Sequence, residues 1–325
     1  MTRRVLITGS SGFVGGALGL WLRQRTDVTV LGISRSQPRP GACDVHIQHD
    51  LTHPLPDTVG PCDVLVHCAA LASPWAAPQD YEAANIIALR NVLDWAEAKA
   101  VAHFVFISSS AVQYAFADQL NLAEDTPWPE RPINLYAASK RRGEAMVAAS
   151  PLNWTIVRPR AVYGPGDTVV FPRILHAARK GVLPKLKRHD RHVPRIDLLY
   201  IDNLCWFLER ILDSGHGGVF NLADGQSMET PALLTTVLGR LGLPEPRLEL
   251  GVGTAMALAG AFELTSRWLQ KWREPPVTKF GVASLAYSKT IDTRKAVGLL
   301  GVPPVSFEDG LNAFLQWQAQ QMRSQ

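Results

Sequence analysis

The sequence predicts a doubly wound α/β fold built around a parallel sheet. Apolar strand-like runs alternate with helical patterns over the first two thirds of the 325 residues. Several of these runs are apolar throughout, which is typical of strands covered by helices on both faces. A glycine-rich turn also joins the first predicted strand to the first helix. Apolar residues make up 46% of the chain, which excludes a disordered protein and allows a large core.

The predicted elements divide the chain into two parts. Strands are expected at 4–8, 28–33, 45–48, 64–67, 104–108, 155–158 and 219–222, with helices between them at 13–25, 79–99 and 136–149. Later helices are expected at 171–180, 201–213, 229–242, 254–272 and 306–321, separated by proline-rich turns. We therefore expect a first domain at 1–165, which also takes in the strand near 219–222. A smaller, partly interleaved lobe is expected at 166–325.

Composition excludes several classes of protein. The net charge is only +4, and the basic residues are not gathered on one element, so we expect no nucleic-acid partner. The four cysteines contain no C-x-x-C pair, and the histidines have no metal-ligand spacing, so no metal site is expected. No apolar stretch reaches the roughly 18 residues of a membrane span. With no signal peptide at the N-terminus, we expect a cytoplasmic protein.

The turn after the first strand has the form of a dinucleotide-binding loop. Gly9, Gly12 and Gly15 follow the strand and begin a helix. Glycines at these places permit a tight turn, a close approach of backbone to a pyrophosphate, and close packing of helix on strand. The helix N-terminus would supply amide donors and a positive dipole. Because the spacing is G-x-x-G-x-x-G, a simple structural turn is the alternative interpretation.

The end of the second strand predicts which dinucleotide is preferred. NAD-binding loops place a carboxylate there for the ribose 2′-hydroxyl. This chain instead has Ser34 and Arg35, which could bind a 2′-phosphate. We therefore predict NADP(H) in preference to NAD(H). The alternative is that Arg35 is an ordinary solvated charge.

A tyrosine and a lysine predict acid–base chemistry. Tyr136 and Lys140 are four residues apart in a predicted helix and so share one face. A neighbouring ammonium, together with a cationic nicotinamide, is expected to lower the pKa of the phenol. The strand at 104–108 leads into three serines, 108–110, at the edge where open α/β sheets bind ligands. One of these serines could orient a substrate oxygen.

With these motifs the sequence resembles the extended short-chain dehydrogenases/reductases of the NAD-dependent epimerase/dehydratase superfamily. The C-terminal half is most similar to the 3β-hydroxysteroid dehydrogenase branch. The matching segments, which run along nearly the whole chain, are Gly9/Gly12/Gly15, His49-Asp50-Leu51, His67-Cys68-Ala69-Ala70, Asn85, Ser108-Ser109-Ser110-Ala111-Val112, Tyr136-x-x-x-Lys140, 157–166, 195–203, 279–296 and 300–310.

The resemblance implies a Rossmann-type NAD(P)-binding domain and assigns roles to individual residues. It implies that Ser110, Tyr136 and Lys140 are catalytic, with Ser109 as a rival to Ser110. It also implies a homodimer formed through the helices that carry Asn85 and Tyr136. The expected cofactor contacts are Gly9, Ser11, Gly12, Phe13, Val14, Gly15, Ser34, Arg35, Asp50, Leu51, Ala69, Ala70, Leu71, Ser108, Tyr136, Lys140, Pro159 and Val162.

The expected activity is interconversion of a secondary alcohol and a ketone on an apolar small molecule, either steroid-like or a long-chain oxo acid. Two alternatives are a nucleotide-sugar epimerase, dehydratase or reductase, and a redox-inert NADP-sensing protein. The apolar helix at 252–272 is expected mainly to pack in the core, or else to form a substrate wall or a peripheral membrane contact. The basic run at 185–192 is expected to be a solvated loop, or else a site for an anionic substrate group.

Overall fold

A seven-stranded parallel sheet lies at the centre of residues 2–323, the part of the chain that the computed structural model describes. Its strands lie in the order β7-β6-β5-β4-β1-β2-β3. The chain reverses its winding between β1 and β4, and sheets of this kind bind ligands at the carboxyl ends of the strands near that point. Numbered in chain order, the strands are β1 (Arg3–Thr8), β2 (Val28–Ser34), β3 (Val45–Gln48), β4 (Val64–His67), β5 (His103–Ile107), β6 (Trp154–Pro159) and β7 (Gly218–Leu222).

Helices cover both faces of this sheet and build most of the second lobe. A π-helical segment, Glu82–Ile87, joins the second helix to the third, and a short 3₁₀ turn, Ser110–Gln113, follows β5. In chain order the helices are α1 (Phe13–Leu22), α2 (Pro78–Tyr81), α3 (Ala88–Ala98), α4 (Leu135–Ala149), α5 (Phe171–Arg179), α6 (Ile201–Ser214), α7 (Thr230–Arg240), α8 (Val252–Leu269), α9 (Lys279–Ala286), α10 (Arg294–Leu300) and α11 (Phe307–Arg323).

Alternate residues of the central strands supply two separate cores. Ile7 of β1 belongs to the cluster that includes Leu18 of α1, whereas its neighbour Leu6 belongs to the cluster that includes Leu89 of α3. Successive side chains of a strand point to opposite faces, so a strand must be apolar throughout when both faces are covered. Burial of each such side chain contributes about 1.5–3 kcal/mol. This packing explains the lack of alternation in the central strands.

The predicted doubly wound fold is confirmed. All seven predicted strands are present, each with bounds within one residue of the prediction. The long helix expected at 79–99 is divided into α2, the π-helical segment and α3. The first helix ends at Leu22, three residues earlier than expected.

Short strands that sequence patterns did not predict tie the second lobe to the first. Gln119–Leu122, from the first half of the chain, pairs in parallel with Lys289–Ile291 near its end. Arg195–Ile196 and Met228–Glu229 complete this small sheet. Strands of two to four residues carry too little periodicity to stand out in a sequence. Their pairing places residues near 119 and 289 beside one another.

The expected core packing of the apolar helix is wrong for its large side chains. In α8, Trp268 and Leu269 are each 80% exposed and Leu264 is 57% exposed. The helix packs through small residues such as Ala255 and Ala259, so its bulky residues face outwards. No helix within residues 2–323 is both long and apolar enough to cross a membrane.

The basic run is only partly the solvated loop that was expected. Pro184–Lys187 forms a strand that pairs with Leu248–Gly251. Arg188 is largely covered, because its guanidinium forms ion pairs with Asp118 at 2.7 Å and Asp190 at 2.5 Å. These carboxylates therefore neutralise the guanidinium of Arg188.

Candidate active site

The turn between β1 and α1 leaves room for a ligand only because it is built of glycine. Gly9 has a φ of +68°, and a Cβ there would lie 2.8 Å from the backbone of Ala69. A Cβ on Gly15 would lie 2.4 Å from the carbonyl oxygen of Gly9. Since the N-cap of α1 is Gly12, no side chain caps the helix and its first amides can face an anion. Ser11, Phe13 and Val14 lie between these glycines. The turn therefore fits a dinucleotide pyrophosphate.

The two predicted 2′-phosphate ligands at the end of β2 differ in what they contact. The Ser34 hydroxyl is buried, donates to the carbonyl of Ser36 at 2.8 Å and is 2.9 Å from Nε2 of His46. The Arg35 side chain is exposed, and its charge helps to lower the pKa of Asp50. Arg35 is thus available to a ligand, whereas Ser34 serves the internal structure.

Asp50 and Leu51, two of the expected cofactor contacts, are held by local hydrogen bonds. The Asp50 carboxylate accepts from the amide of Thr52 at 3.0 Å and from its hydroxyl at 2.9 Å. The hydrogen bond from the Thr52 amide is the largest cause of the lowered pKa of Asp50. Leu51 is buried, and its carbonyl accepts from Asn91 of α3 at 2.9 Å. These bonds fix the turn after β3.

The loop after β4 is joined to the helix that carries the tyrosine. The amide of Leu71 donates to Oδ1 of Asn85 at 2.7 Å, and Nδ2 of Asn85 donates to Ser139 at 2.8 Å. The Ser139 hydroxyl in turn donates to the carbonyl of Tyr136 at 2.8 Å. Asn85 lies in the π-helical segment, a feature often found at functional sites. Ala69 and Ala70 are half-buried in the loop that Asn85 fixes.

Tyr136 and Lys140 lie one turn apart on α4, at the carboxyl edge of β5. Asn134 caps the helix by accepting from the amide of Ala137 at 2.8 Å. The Lys140 side chain is buried, and its Nζ donates to the carbonyl of Ile107 at 2.7 Å. Nζ also lies 4.8 Å from the ring centroid of Phe106, a cation–π contact.

Burial decides the protonation of this pair. It raises the pKa of Tyr136 to about 12, with a smaller opposing effect from a hydrogen bond to Ser109. It lowers the pKa of Lys140 to about 8. The phenol is therefore protonated at neutral pH in the protein chain itself, so the predicted lowering of its pKa depends on the charge of a bound nicotinamide. Burial has the largest effect on the pKa of Tyr136, and the ammonium of Lys140 donates to the carbonyl of Ile107.

The three serines after β5 have different partners. Ser108 donates to the carboxylate of Glu144 at 2.5 Å. The Ser109 hydroxyl accepts from the amide of Ala111 at 3.2 Å and is the hydrogen-bond partner of Tyr136. The Ser110 hydroxyl lies 2.8 Å from that of Tyr114 and donates to the carbonyl of Pro159 at 3.2 Å.

The Ser108 hydroxyl points into the core, where it meets a buried ion pair. There Glu144 also pairs with the guanidinium of Arg158, 2.6 Å away, and both side chains are 4% exposed. This buried ion pair ties α4 to β6, and the remaining donor of Arg158 reaches the carbonyl of Glu124 at 2.9 Å. Sequence patterns did not single out Glu144, since its partners are distant along the chain.

Two further predicted cofactor contacts follow β6. Pro159 is buried at the end of the strand, where its carbonyl accepts from Ser110. Val162 is half-buried in a two-residue strand that pairs with Leu199–Tyr200.

A histidine also reaches the site, at the end of β4, without having been predicted to act there. Nδ1 of His67 lies 2.9 Å from the hydroxyl of Thr8. Burial, and next the charge of Lys140, lower the pKa of His67 to about 3. The imidazole is therefore neutral and forms part of the wall between β1 and β4.

Comparison with known proteins agrees with this geometry. The model of the NAD dependent epimerase/dehydratase family matches residues 5–223. A 2-alkyl-3-oxoalkanoate reductase of Shewanella oneidensis is 27% identical over 327 residues, covering 94% of this chain and 84% of that protein. A decarboxylating sterol-4-alpha-carboxylate 3-dehydrogenase of Candida albicans is 28% identical over 272 residues, covering 79% of this chain and 76% of that protein.

Solved structures show the same fold. The structure of MoeE5 in complex with UDP-glucose and NAD superposes with a TM-score of 0.75 at 20% identity, covering 98% of this chain and 99% of that one. The family model spans both the glycine turn and the tyrosine–lysine pair. The chain therefore belongs to the NAD dependent epimerase/dehydratase family, and it is an NAD-dependent enzyme of the extended short-chain dehydrogenase/reductase type.

Proposed function

We propose that the protein interconverts a secondary alcohol and a ketone on an apolar substrate, with Tyr136, Lys140 and Ser110 as its catalytic residues. The observation that carries this proposal is the tyrosine–lysine pair on α4, placed beside the serine turn at the same sheet edge as the glycine cradle. A bound nicotinamide would accept or supply the hydride. The glycine turn, Arg35 and the loop at 69–71 would hold that cofactor.

Each catalytic residue has a distinct task. Tyr136 donates its phenolic proton to the substrate oxygen as the ketone is reduced, and takes that proton back in the reverse direction. Lys140 stabilises negative charge on the phenol and would hold the ribose of a bound cofactor. Ser110 donates a hydrogen bond to the substrate oxygen, which fixes the reacting carbon in place.

An apolar substrate is supported by the walls around the tyrosine. Tyr136 packs against a cluster that includes Ile133 and Ile291, and Phe280 and Tyr287 pack against the same cluster. The named relatives act, by their names, on an alkyl oxoalkanoate and on a sterol. A nucleotide sugar is less well supported, because Lys187 and Arg188 of the basic run form ion pairs within the protein.

The test is reduced-nicotinamide absorbance with three substrate sets: ketosteroids, 2-alkyl-3-oxoalkanoates and nucleotide sugars. We expect turnover with one of the first two sets. For nucleotide sugars the products should be identified directly, since an epimerase gives no net absorbance change. Product formation from that set alone would replace the proposal with the sugar-nucleotide alternative. Tight NADPH binding without any product would support the redox-inert alternative.

We further propose a preference for NADP(H), which rests on the exposed Arg35 and the absence of a carboxylate at 34–36. Arg35→Ser should raise the Kd for NADPH about 10- to 100-fold and change that for NADH by less than about threefold, since one charge-assisted contact is lost. Titration of nicotinamide fluorescence measures both. Arg90→Ser, an exposed arginine on α3, is the matched control. Tighter binding of NADH by the wild-type protein would contradict the preference.

The serines can be ranked by substitution. Ser110→Ala should lower kcat about 100-fold without changing the Kd for NADPH, because a hydroxyl that orients the reacting oxygen is removed. Ser109→Ala should lower kcat only about tenfold. The Ser109 hydroxyl caps the turn by accepting from the amide of Ala111, so its loss should disturb the site indirectly. Steady-state kinetics of the two variants decide the matter. The reverse ranking would assign the orienting role to Ser109, the serine that contacts Tyr136.

A cytoplasmic location and a homodimer through the helical segments that carry Asn85 and Tyr136 stay predictions. A peripheral membrane contact through the exposed apolar residues of α8 is a further prediction. Analytical ultracentrifugation and vesicle flotation would test the dimer and the membrane contact.

A further inference from the structure

A buried arginine lies beside the proposed catalytic serine. Arg160 directly follows Pro159, whose carbonyl accepts from Ser110, and its side chain is only 6% exposed. Its guanidinium carbon is 5.3 Å from the ring centroid of Tyr114, the residue whose hydroxyl lies 2.8 Å from that of Ser110. The side chain of Tyr114 therefore links the cation to Ser110.

The guanidinium has no carboxylate partner within residues 2–323. Its hydrogen bond in this part of the chain runs from Nε to the carbonyl of Lys289, at 3.4 Å. The carboxylate of Asp197 acts on the pKa of Tyr114, but its oxygens accept from the hydroxyl of Ser227 and from the amide of Ile291. A buried charge without a partner is costly to the fold, so its presence needs a reason.

A second buried cation faces the same ring. Nζ of Lys289 is 5.5 Å from the ring centroid of Tyr114, and the side chain is 1% exposed. It donates to the carbonyls of Ala115 and Ala117. Burial, and next the charge of Arg160, lower its pKa to about 8, so the two cations are close enough to repel each other. The charge of Asp118 opposes this shift, but its carboxylate is already paired with Arg188, so the two cations are suited to an anionic ligand.

We propose that Arg160, supported by Lys289, binds a carboxylate that the substrate carries close to its reacting carbon. This inference rests on the proposed function, and it narrows the substrate class to 3-oxo or 3-hydroxy carboxylic acids with an apolar body. An arginine fork matches a carboxylate with two parallel hydrogen bonds. The names of the two relatives, an oxoalkanoate reductase and a sterol-carboxylate dehydrogenase, both specify an acid group.

The experiment compares a 2-alkyl-3-hydroxyalkanoate with its methyl ester, each oxidised with NADP⁺ and followed by absorbance. The hydroxy acid is used because 3-oxo acids lose carbon dioxide in solution. We expect the wild-type protein to favour the acid about 100-fold in kcat/KM. Arg160→Met should remove this preference by lowering kcat/KM for the acid about 100-fold, with less than about threefold change for the ester. Arg160→Lys, which keeps a charge but not the fork, should fall between them.

Two controls separate recognition from structure. The Kd for NADPH and the Tm of each variant report whether the site is still folded, and Arg160→Gln replaces Arg160→Met if the latter melts early. Equal losses for acid and ester would make Arg160 a structural residue and overturn the inference. Equal use of acid and ester by the wild-type protein would also overturn it while leaving the proposed function intact. Turnover of neither would overturn the inference, and absence of turnover with the ketosteroids as well would overturn the proposed function.

Discussion

Tyr136→Phe is expected to lose about 1,000-fold in kcat while the Kd for NADPH stays within about twofold of the wild-type value. The substitution removes one oxygen and keeps the ring that packs against the apolar cluster around Ile133. The glycine cradle and Arg35 lie elsewhere, so binding of the dinucleotide should not depend on that oxygen. Single-turnover kinetics and fluorescence titration measure the two quantities separately.

The size of this loss follows from the proton that ketone reduction requires. Burial keeps the pKa of Tyr136 at about 12, so the phenol is fully protonated at pH 7 and is ready to donate. Phenylalanine offers no proton, and water would have to enter a buried site to replace it. General acid catalysis by a positioned side chain is worth about 100- to 10,000-fold, and the expected loss lies in the middle of that range.

Tyr163→Phe is the matched control, because it also removes a buried hydroxyl. The Tyr163 hydroxyl donates to the carbonyl of Phe307 at 3.4 Å and hydrogen-bonds the carboxylate of Asp224, in a core cluster separate from the one around Tyr136. This variant should keep turnover within about threefold. If Tyr136→Phe retained more than a tenth of wild-type turnover, the tyrosine would not be the proton donor.

The sequence was sufficient to predict the parts of the site that depend on local spacing. The glycine turn could be predicted because backbone approaches so closely at Gly9 and Gly15 that any Cβ would clash, which requires glycine at both positions. Tyr136 and Lys140 are readable because a helix brings residues four apart onto one face. The strands of the main sheet are readable because both of their faces are buried.

Other parts depend on contacts between distant segments and could not be predicted. Glu144 forms the buried ion pair with Arg158 only because α4 packs across β6. The pairing of Gln119–Leu122 with Lys289–Ile291 brings Lys289 to Tyr114, although 175 residues separate them. The pKa of Tyr136 could not be predicted either, since its direction depends on burial as well as on neighbouring charge.

Lys140→Met is expected to lose at least about 100-fold in kcat and yet to melt at a higher temperature than the wild-type protein at pH 7. Burial lowers the pKa of Lys140 from 10.5 to about 8, because the ammonium is removed from water and donates to a carbonyl rather than to a carboxylate. This drop corresponds to a destabilisation of roughly 3 kcal/mol. Methionine fills a similar volume without a charge.

The gain should be smaller than that figure, because the carbonyl of Ile107 loses its donor. A buried acceptor left unpaired costs on the order of 1 kcal/mol, which leaves a net gain of about 2 kcal/mol. For a chain of this size such a change raises the Tm by on the order of 4 °C. Lys180→Met, at an exposed position after α5, is the control and should leave both Tm and kcat nearly unchanged.

The pH dependence distinguishes this charge effect from better packing. Below pH 8 the lysine is protonated in both the folded and the unfolded chain, so the wild-type protein carries the full penalty. Between pH 8 and about 10.5 the unfolded chain binds the proton that the folded chain has released, so wild-type stability rises with pH relative to the variant. The difference in Tm should therefore shrink between pH 7 and pH 10. A constant difference in Tm would show that packing is the cause. A lower Tm for the variant than for the wild-type protein at pH 7 would show that the ammonium stabilises the fold.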